Sequence, residues 1–243
     1  MWSKKDLKWL KQNYPAVKKL ASGALSGPLV FRMLFKDGNR YINPSDELVA
    51  KGNSIYISAM YNVSIEHQGN TSFPKVFETS GKIQAVANSK GLRMIDLHTF
   101  PNDNDALCLA SPMVTYPAAM NGISLQAYVE DFLIPYLFAQ EHFAKTDIWP
   151  WGDLSHGLIG HLEWLGRIDQ PVLRDAKVML LNIGGIEKPG HFHDLFSIRP
   201  RFHKPCICGS KKKFRKCHPD AKTGITVVRK YLYSRKLDLT DFI

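Results

Sequence analysis

Three cysteines and a histidine stand close together near the C-terminal end of the 243-residue chain. Cys206-Ile207-Cys208-Gly209-Ser210 is followed, after six residues, by Cys217-His218. Four soft ligands in so short a segment suit a structural zinc site, in which thiolates and imidazole fill all four tetrahedral positions. The single residue between Cys206 and Cys208 puts two sulfurs on one tight turn, and Gly209 eases that turn by tolerating positive φ. The eight residues after Cys208 are enough to loop back and deliver Cys217 and His218 to the other edge. Five of them, Lys211, Lys212, Lys213, Arg215 and Lys216, are basic, which favours the thiolates that bind metal at neutral pH. The reading is one structural Zn2+ held by Cys206, Cys208, Cys217 and His218.

The fourth cysteine is alone. Cys108 follows a polar stretch, Pro101-Asn102-Asp103-Asn104-Asp105, and lies ten residues after His98. A cysteine between Leu107 and Leu109 would by default be a core residue, but the polar loop before it points to a nucleophile. A thiolate can attack an activated carbonyl, hold it as a thioester and pass it to an amine or another thiol. No base need abut the sulfur, and hydrogen-bond donors to the oxyanion supply most of the remaining rate. His98 reads as structural support beneath the loop, while turn chemistry accounts for Asp103 and Asp105. His156 and His161, five apart with Glu163 nearby, do not share a helical face, so they read as ordinary histidines. His191, His193 and Asp194 have no third ligand placed beside them and read as a polar connection.

The elements that must carry these groups begin with a helix from residue 3, ended near Tyr14 by Pro15. Apolar residues from Leu29 to Phe35 lead into the turn pair Asp37-Gly38 and then Arg40-Tyr41-Ile42. Ile55, Ile57, Ala59, Tyr61, Val63 and Ile65 alternate as in a half-buried strand, and Val76 to Thr79 gives another, with Gly81-Lys82-Ile83 extending it. The expectation is an α+β fold: an N-terminal helix, a four-stranded antiparallel meander and C-terminal helices. The first of those helices follows Ser124, with a kink at Pro135, and another runs from Asp153 to Leu165. Trp149-Pro150-Trp151 reads as a packed corner. The domain reading is 1–168 as the catalytic body, 169–203 as a connection of open fold, 204–219 as the zinc module and 220–243 as a basic tail.

Charge separates these parts. Residues 1–198 carry 19 basic and 19 acidic side chains, whereas residues 199–243 carry 13 basic ones against Asp220, Asp238 and Asp241. The last 45 residues thus hold the entire net charge of +10. A protein that coats nucleic acid along its whole surface is excluded, and an acidic protein or a nucleic acid is expected only at the tail. No apolar run approaches the ~20 residues that cross a bilayer, and the amino terminus has no apolar core of a signal peptide, so a cytoplasmic protein without membrane contact is expected. There is no phosphate-binding glycine loop, so the expectation is that a separate enzyme supplies any activated acyl group or that the protein uses another route without one.

Two resemblances add to this. Residues 204–219 resemble the SEC-C motif, a short zinc-binding module: Pro205, both cysteine spacings, Gly209, Ser210, Phe214 and the Cys217-His218 pair match. Lys211 stands where that motif usually has its second glycine. Residues 1–168 resemble the ubiquitin-conjugating enzymes in the order helix, strands, Phe73-Pro74, His98, Cys108-Leu109 and helix 124–144. The nearest likeness is to bacterial ubiquitin-conjugating-like proteins, some encoded in antiphage defence operons beside a cyclic-oligonucleotide synthase. The resemblance implies a transferase that carries a protein C-terminus as a thioester on Cys108, with such a synthase as a partner. The eukaryotic enzymes follow the histidine with Pro and Asn, and this chain has Thr99 and Phe100 there. Asn102 or Asn104 would have to take over support of the oxyanion. The alternative is an inactive relative that serves as a zinc-containing adaptor for protein or nucleic acid.

Overall fold

The computed structural model describes residues 2–50, 54–67, 69, 72–152, 154–155, 157–168 and 202–238, with 176, 177, 180 and 196. The chain divides into two compact bodies, Met1–Ala110 with Thr115–Gly152, and Ser111–Val114 with Asp153–Ile243. The first is built on an antiparallel sheet and the second, among the described residues, is helical, so the α+β class holds.

In the first body α1 (Lys4–Asn13) starts at Ser3, which forms a reciprocal cap with Asp6, and it ends at Tyr14. The other Asp6 oxygen accepts the Leu125 N–H at 2.9 Å. One carboxylate therefore ties the first helix to a later one. Five strands follow: β1 (Lys18–Lys19), β2 (Leu25–Lys36), β3 (Asn39–Ile42), β4 (Ile55–Glu66) and β5 (Lys75–Glu78). Asp37 and Gly38 both take positive φ, and the hairpin they make lays β3 beside β2. The chain then passes through α2 (Asp46–Val49) and runs β4 along the other edge of β2. The meander is thus corrected: β1 and β3 share one edge of β2, and the order is β1–β2–β4–β5. β3 has four largely exposed residues, whereas β4 offers an alternating apolar face in register from Leu25↔Ile65 to Phe35↔Ile55. Burial favours the longer pairing.

Leu25, Leu29, Phe31 and Met33 of β2 meet Ile57, Tyr61, Val63 and Ile65 of β4 and Val76 of β5 in one core. Gly81, at φ 74, does not extend β5; it opens α3 (Lys82–Lys90). Next come a 3-10 turn, Met94–Leu97, and a two-stranded ribbon of β6 (Thr99–Phe100) and β7 (Ala106–Leu107). After α4 (Pro112–Met120), the helical layer is α5 (Leu125–Ala127), a π-helical stretch Tyr128–Leu133 and α6 (Ile134–Thr146). The expected kink at Pro135 takes the form of that wider turn. Pro135 has no N–H to return to an earlier carbonyl, and the π stretch lets the chain pass it. The tryptophan corner forms as expected: Trp149 stacks on Phe143 and Trp151 on Phe138.

The second body contains α7 (Gly157–Arg167), α8 (Phe214–Cys217) and α9 (Pro219–Arg235). Its core gathers Leu158, Leu162 and Leu165 of α7, Phe214 of α8, and Ala221, Ile225, Val228 and Leu232 of α9. Two glycines set the approach of α7 and α9. A Cβ on Gly224 would lie 2.1 Å from the Leu162 carbonyl oxygen, and one on Gly166 would lie 2.0 Å from that of Asp220. Residues 220–235 are therefore not a loose basic tail, and α7 groups with them rather than with 1–152. The apolar stripe of α9, hidden in the sequence among charges, is what captures α7. Of the connection 169–203, Ala176, Leu180 and Phe196 are buried in this core and most of the rest lies outside the described residues. No helix among the described residues is long and apolar enough to cross a membrane.

Candidate functional site

The four expected ligands come together. One donor atom each from Cys206, Cys208, Cys217 and His218 lies within 4.8 Å of all the others. The segment folds as a miniature hairpin: Pro205 bridges to Lys213, the Cys206 N–H donates to the Lys212 carbonyl at 2.7 Å, and the Gly209 N–H donates to that of Cys206. Gly209 has φ 83, as expected, and Lys211 has φ 60. A lysine thus occupies the left-handed position where the motif it resembles keeps a glycine, at a local cost of about 1 kcal/mol. The chain then enters α8, whose Phe214 is buried and brings Cys217 and His218 back beside the turn.

The cluster is electrostatically uneven. The Ser210 hydroxyl and then His218 hold the Cys208 thiol below its ordinary range, whereas burial pushes Cys206 up. Ser210 Oγ also lies 3.1 Å from Cys217 Sγ. His218 is 9% exposed, and its Nε2 is buried with no hydrogen-bond partner. Its other nitrogen, Nδ1, is 2.6 Å from Glu163 Oε1. Burial by itself would lower the His218 pKa, yet Cys208 and Glu163 outweigh it and raise it. The residues therefore fit a cation: three sulfurs and a buried imidazole gather within 4.8 Å, and on the cluster side the imidazole faces Cys208. When bound, a metal would supply positive charge directly at the sulfurs and the cross-link that this short segment otherwise lacks.

Cys108 follows β7 directly. Its N–H donates to the His98 carbonyl at 2.8 Å, which continues the ribbon by one rung beyond Thr99↔Leu107. His98, at φ 57, closes the 3-10 turn, and its ring packs edge-on against Trp149 at 4.8 Å. Its backbone carbonyl thus holds the Cys108 N–H. The preceding carbonyl, Leu97, accepts both Tyr136 Oη at 2.9 Å and Gln140 Nε2 at 2.7 Å from α6. The thiol is half-buried, and burial pushes its pKa up to about 11. Asn102 and Asn104 are exposed in the turn at the other end of the ribbon. The Thr99–Leu107 and Phe100–Ala106 pairs separate that turn from the Cys108 end of the ribbon. Asp103 pairs with Lys75 at 2.7 Å and Asp105 has φ 58, in keeping with turn chemistry.

Among the remaining candidates, His161 Nδ1 faces Ser111 Oγ at 3.1 Å, and burial lowers its pKa. His156, His191, His193 and Asp194 lie outside the described residues. Sequence reasoning missed Glu163, Tyr136 and Gln140. The one local signal was Glu163 itself, an acid on the apolar side of an amphipathic helix between Leu162 and Leu165. Comparison with protein-family models, with curated proteins and with solved structures finds no match for this chain.

Proposed function

We propose that the chain is a ubiquitin-conjugating-like cysteine transferase with an appended zinc module. Cys108 takes an activated protein C-terminus from a separate activating enzyme, forming a thioester and releasing the activating group. An acceptor amine then attacks that carbonyl, forms an amide and frees the thiol. The expected partner is a cyclic-oligonucleotide synthase of an antiphage defence operon, working in the cytoplasm. What supports this reading is the place of Cys108: half-buried, at the end of a ribbon whose backbone is fixed by His98, Tyr136 and Gln140. Zn2+ is the metal we assign to the second body, on the strength of three sulfurs and an orphaned imidazole nitrogen.

One observation favours a second reading, an inactive adaptor. Burial holds the thiol protonated, and Asn102 and Asn104 are exposed in the turn of the ribbon. Co-expression with the operon neighbours decides between them. The transferase should give an adduct that reductant cleaves; Cys108→Ser should give one that reductant leaves intact, and Cys108→Ala should give none. An absence of adduct with all three, with partner binding retained by Cys108→Ala, would establish the adaptor. Zinc content near zero in purified protein, not restored by added Zn2+, would remove the zinc assignment.

A further inference from the structure

Glu163 is a carboxylate that the apolar core of the second body has no reason to hold. It is 6% exposed, on a helix whose other buried residues are Leu158, Ile159, Gly160, Leu162 and Leu165. Burying a carboxylate costs several kcal/mol unless donors or a countercharge compensate it. Here the donors converge. Ser155 gives its N–H to Oε2 at 2.7 Å and its hydroxyl to Oε1 at 3.1 Å, and His218 Nδ1 stands 2.6 Å from Oε1. Gly160 allows this, since a Cβ there would lie 1.6 Å from the Ser155 carbonyl oxygen and would push the 155 loop away. The carboxylate is thus built in from both sides, and its only side-chain nitrogen partner among the described residues is the imidazole of the candidate metal cluster.

We propose that Glu163 is a positioning residue for the metal centre, an inference that rests on the zinc assignment above. By accepting from Nδ1–H, Glu163 fixes the proton on that nitrogen and leaves the lone pair on Nε2, the buried atom without a partner. The ring is locked with that lone pair toward the three sulfurs. The carboxylate also draws on the Nδ1 proton and makes Nε2 a stronger donor to a cation. The cluster therefore has five contributing side chains, one of them 55 positions before the histidine it serves. Metal affinity becomes a property of α7 as well as of residues 206–218.

The test uses the full chain, stripped of metal, and titrates Zn2+ against a chromophoric chelator for wild type, Glu163→Gln and Glu163→Ala. Co2+ absorption is recorded in parallel, and circular dichroism monitors the fold. Glu163→Ala should weaken Zn2+ about 10- to 100-fold, the range found for such outer partners of a ligating histidine. Glu163→Gln, whose carbonyl still accepts the proton but carries no charge, should fall between. In the zinc-loaded protein the His218 Nδ1 proton should give a downfield NMR signal in wild type that moves upfield in Glu163→Gln. Should Glu163→Ala not fold, Glu163→Gln and its Nδ1 signal decide alone. Unchanged affinity together with an unmoved signal would overturn the proposal. A wild type that binds neither ion stoichiometrically would instead overturn the zinc assignment beneath it.

Discussion

At the scale of single residues, the two kinds of cysteine should part company in a labelling experiment. Cys108 loses hydration on burial and its pKa is pushed up to about 11, so at pH 7 roughly one molecule in ten thousand carries its thiolate. Alkylation of Cys108 by iodoacetamide, mapped by mass, should therefore rise about tenfold per pH unit from 7 to 10. A plateau by pH 9 would show an ordinary thiol. Cys208 lies the other way: it is exposed, and its thiolate is favoured by Ser210 and His218. In metal-free protein it should react first at pH 7, and bound Zn2+ should silence it. The basic flanks of Cys208 were legible in the sequence, whereas the burial of Cys108 was masked by the polar loop before it. The leucines beside it, and α6 beneath, decide its burial. The clustering of Cys206, Cys208, Cys217 and His218 was legible because 13 consecutive residues hold them all. Glu163 was less so: an acid on the apolar side of a helix marks itself, but its partner comes 55 positions later.

At the scale of elements, α6 and the ribbon are joined through one carbonyl. Leu97 O accepts from both Tyr136 and Gln140, one helical turn apart, so either donor can be lost without orphaning it. Tyr136→Phe or Gln140→Leu alone should cost about 1 kcal/mol in urea unfolding, and the double substitution more than the sum, because the buried carbonyl is then unpaired. The double variant should also speed Cys108 alkylation. Additivity, with alkylation unchanged, would mean that the two donors do not hold the ribbon. The strong alternation of β4 and the proline-stopped α1 were plain in the sequence, since period and punctuation coincide there. α3 was not: Gly81 after an apolar extended run reads as a strand turn, yet its positive φ starts a helix. α4 was hidden by its prolines, Pro112 at its first position and Pro117 inside it.

At the scale of the whole chain, the +10 charge and the metal site occupy one folded body, not a detachable tail. Deleting residues 199–243 would uncover Leu158, Leu162 and Leu165, which α9 buries. The truncated protein should aggregate or unfold α7, as circular dichroism and light scattering would show. A soluble truncation with its helix content intact would contradict the packing. Partner contacts should be probed through the exposed Lys211, Lys212 and Lys213. Their replacement by glutamine should weaken an acidic partner and flatten its salt dependence while leaving Cys108 alkylation unchanged. The sequence misread this region because thirteen basic side chains obscured the stripe Ala221, Ile225, Val228 and Leu232. Those three lysines carry another consequence. They lie on the returning strand of a hairpin closed by few backbone bonds and, with metal, by four ligands, so opening of that strand is governed by the ion. Trypsin cuts after lysine only where the chain can be drawn out, so a brief digest would nick metal-free molecules here and spare loaded ones. The run thus makes proteolytic survival a gauge of how much of the protein is metallated in a crude extract.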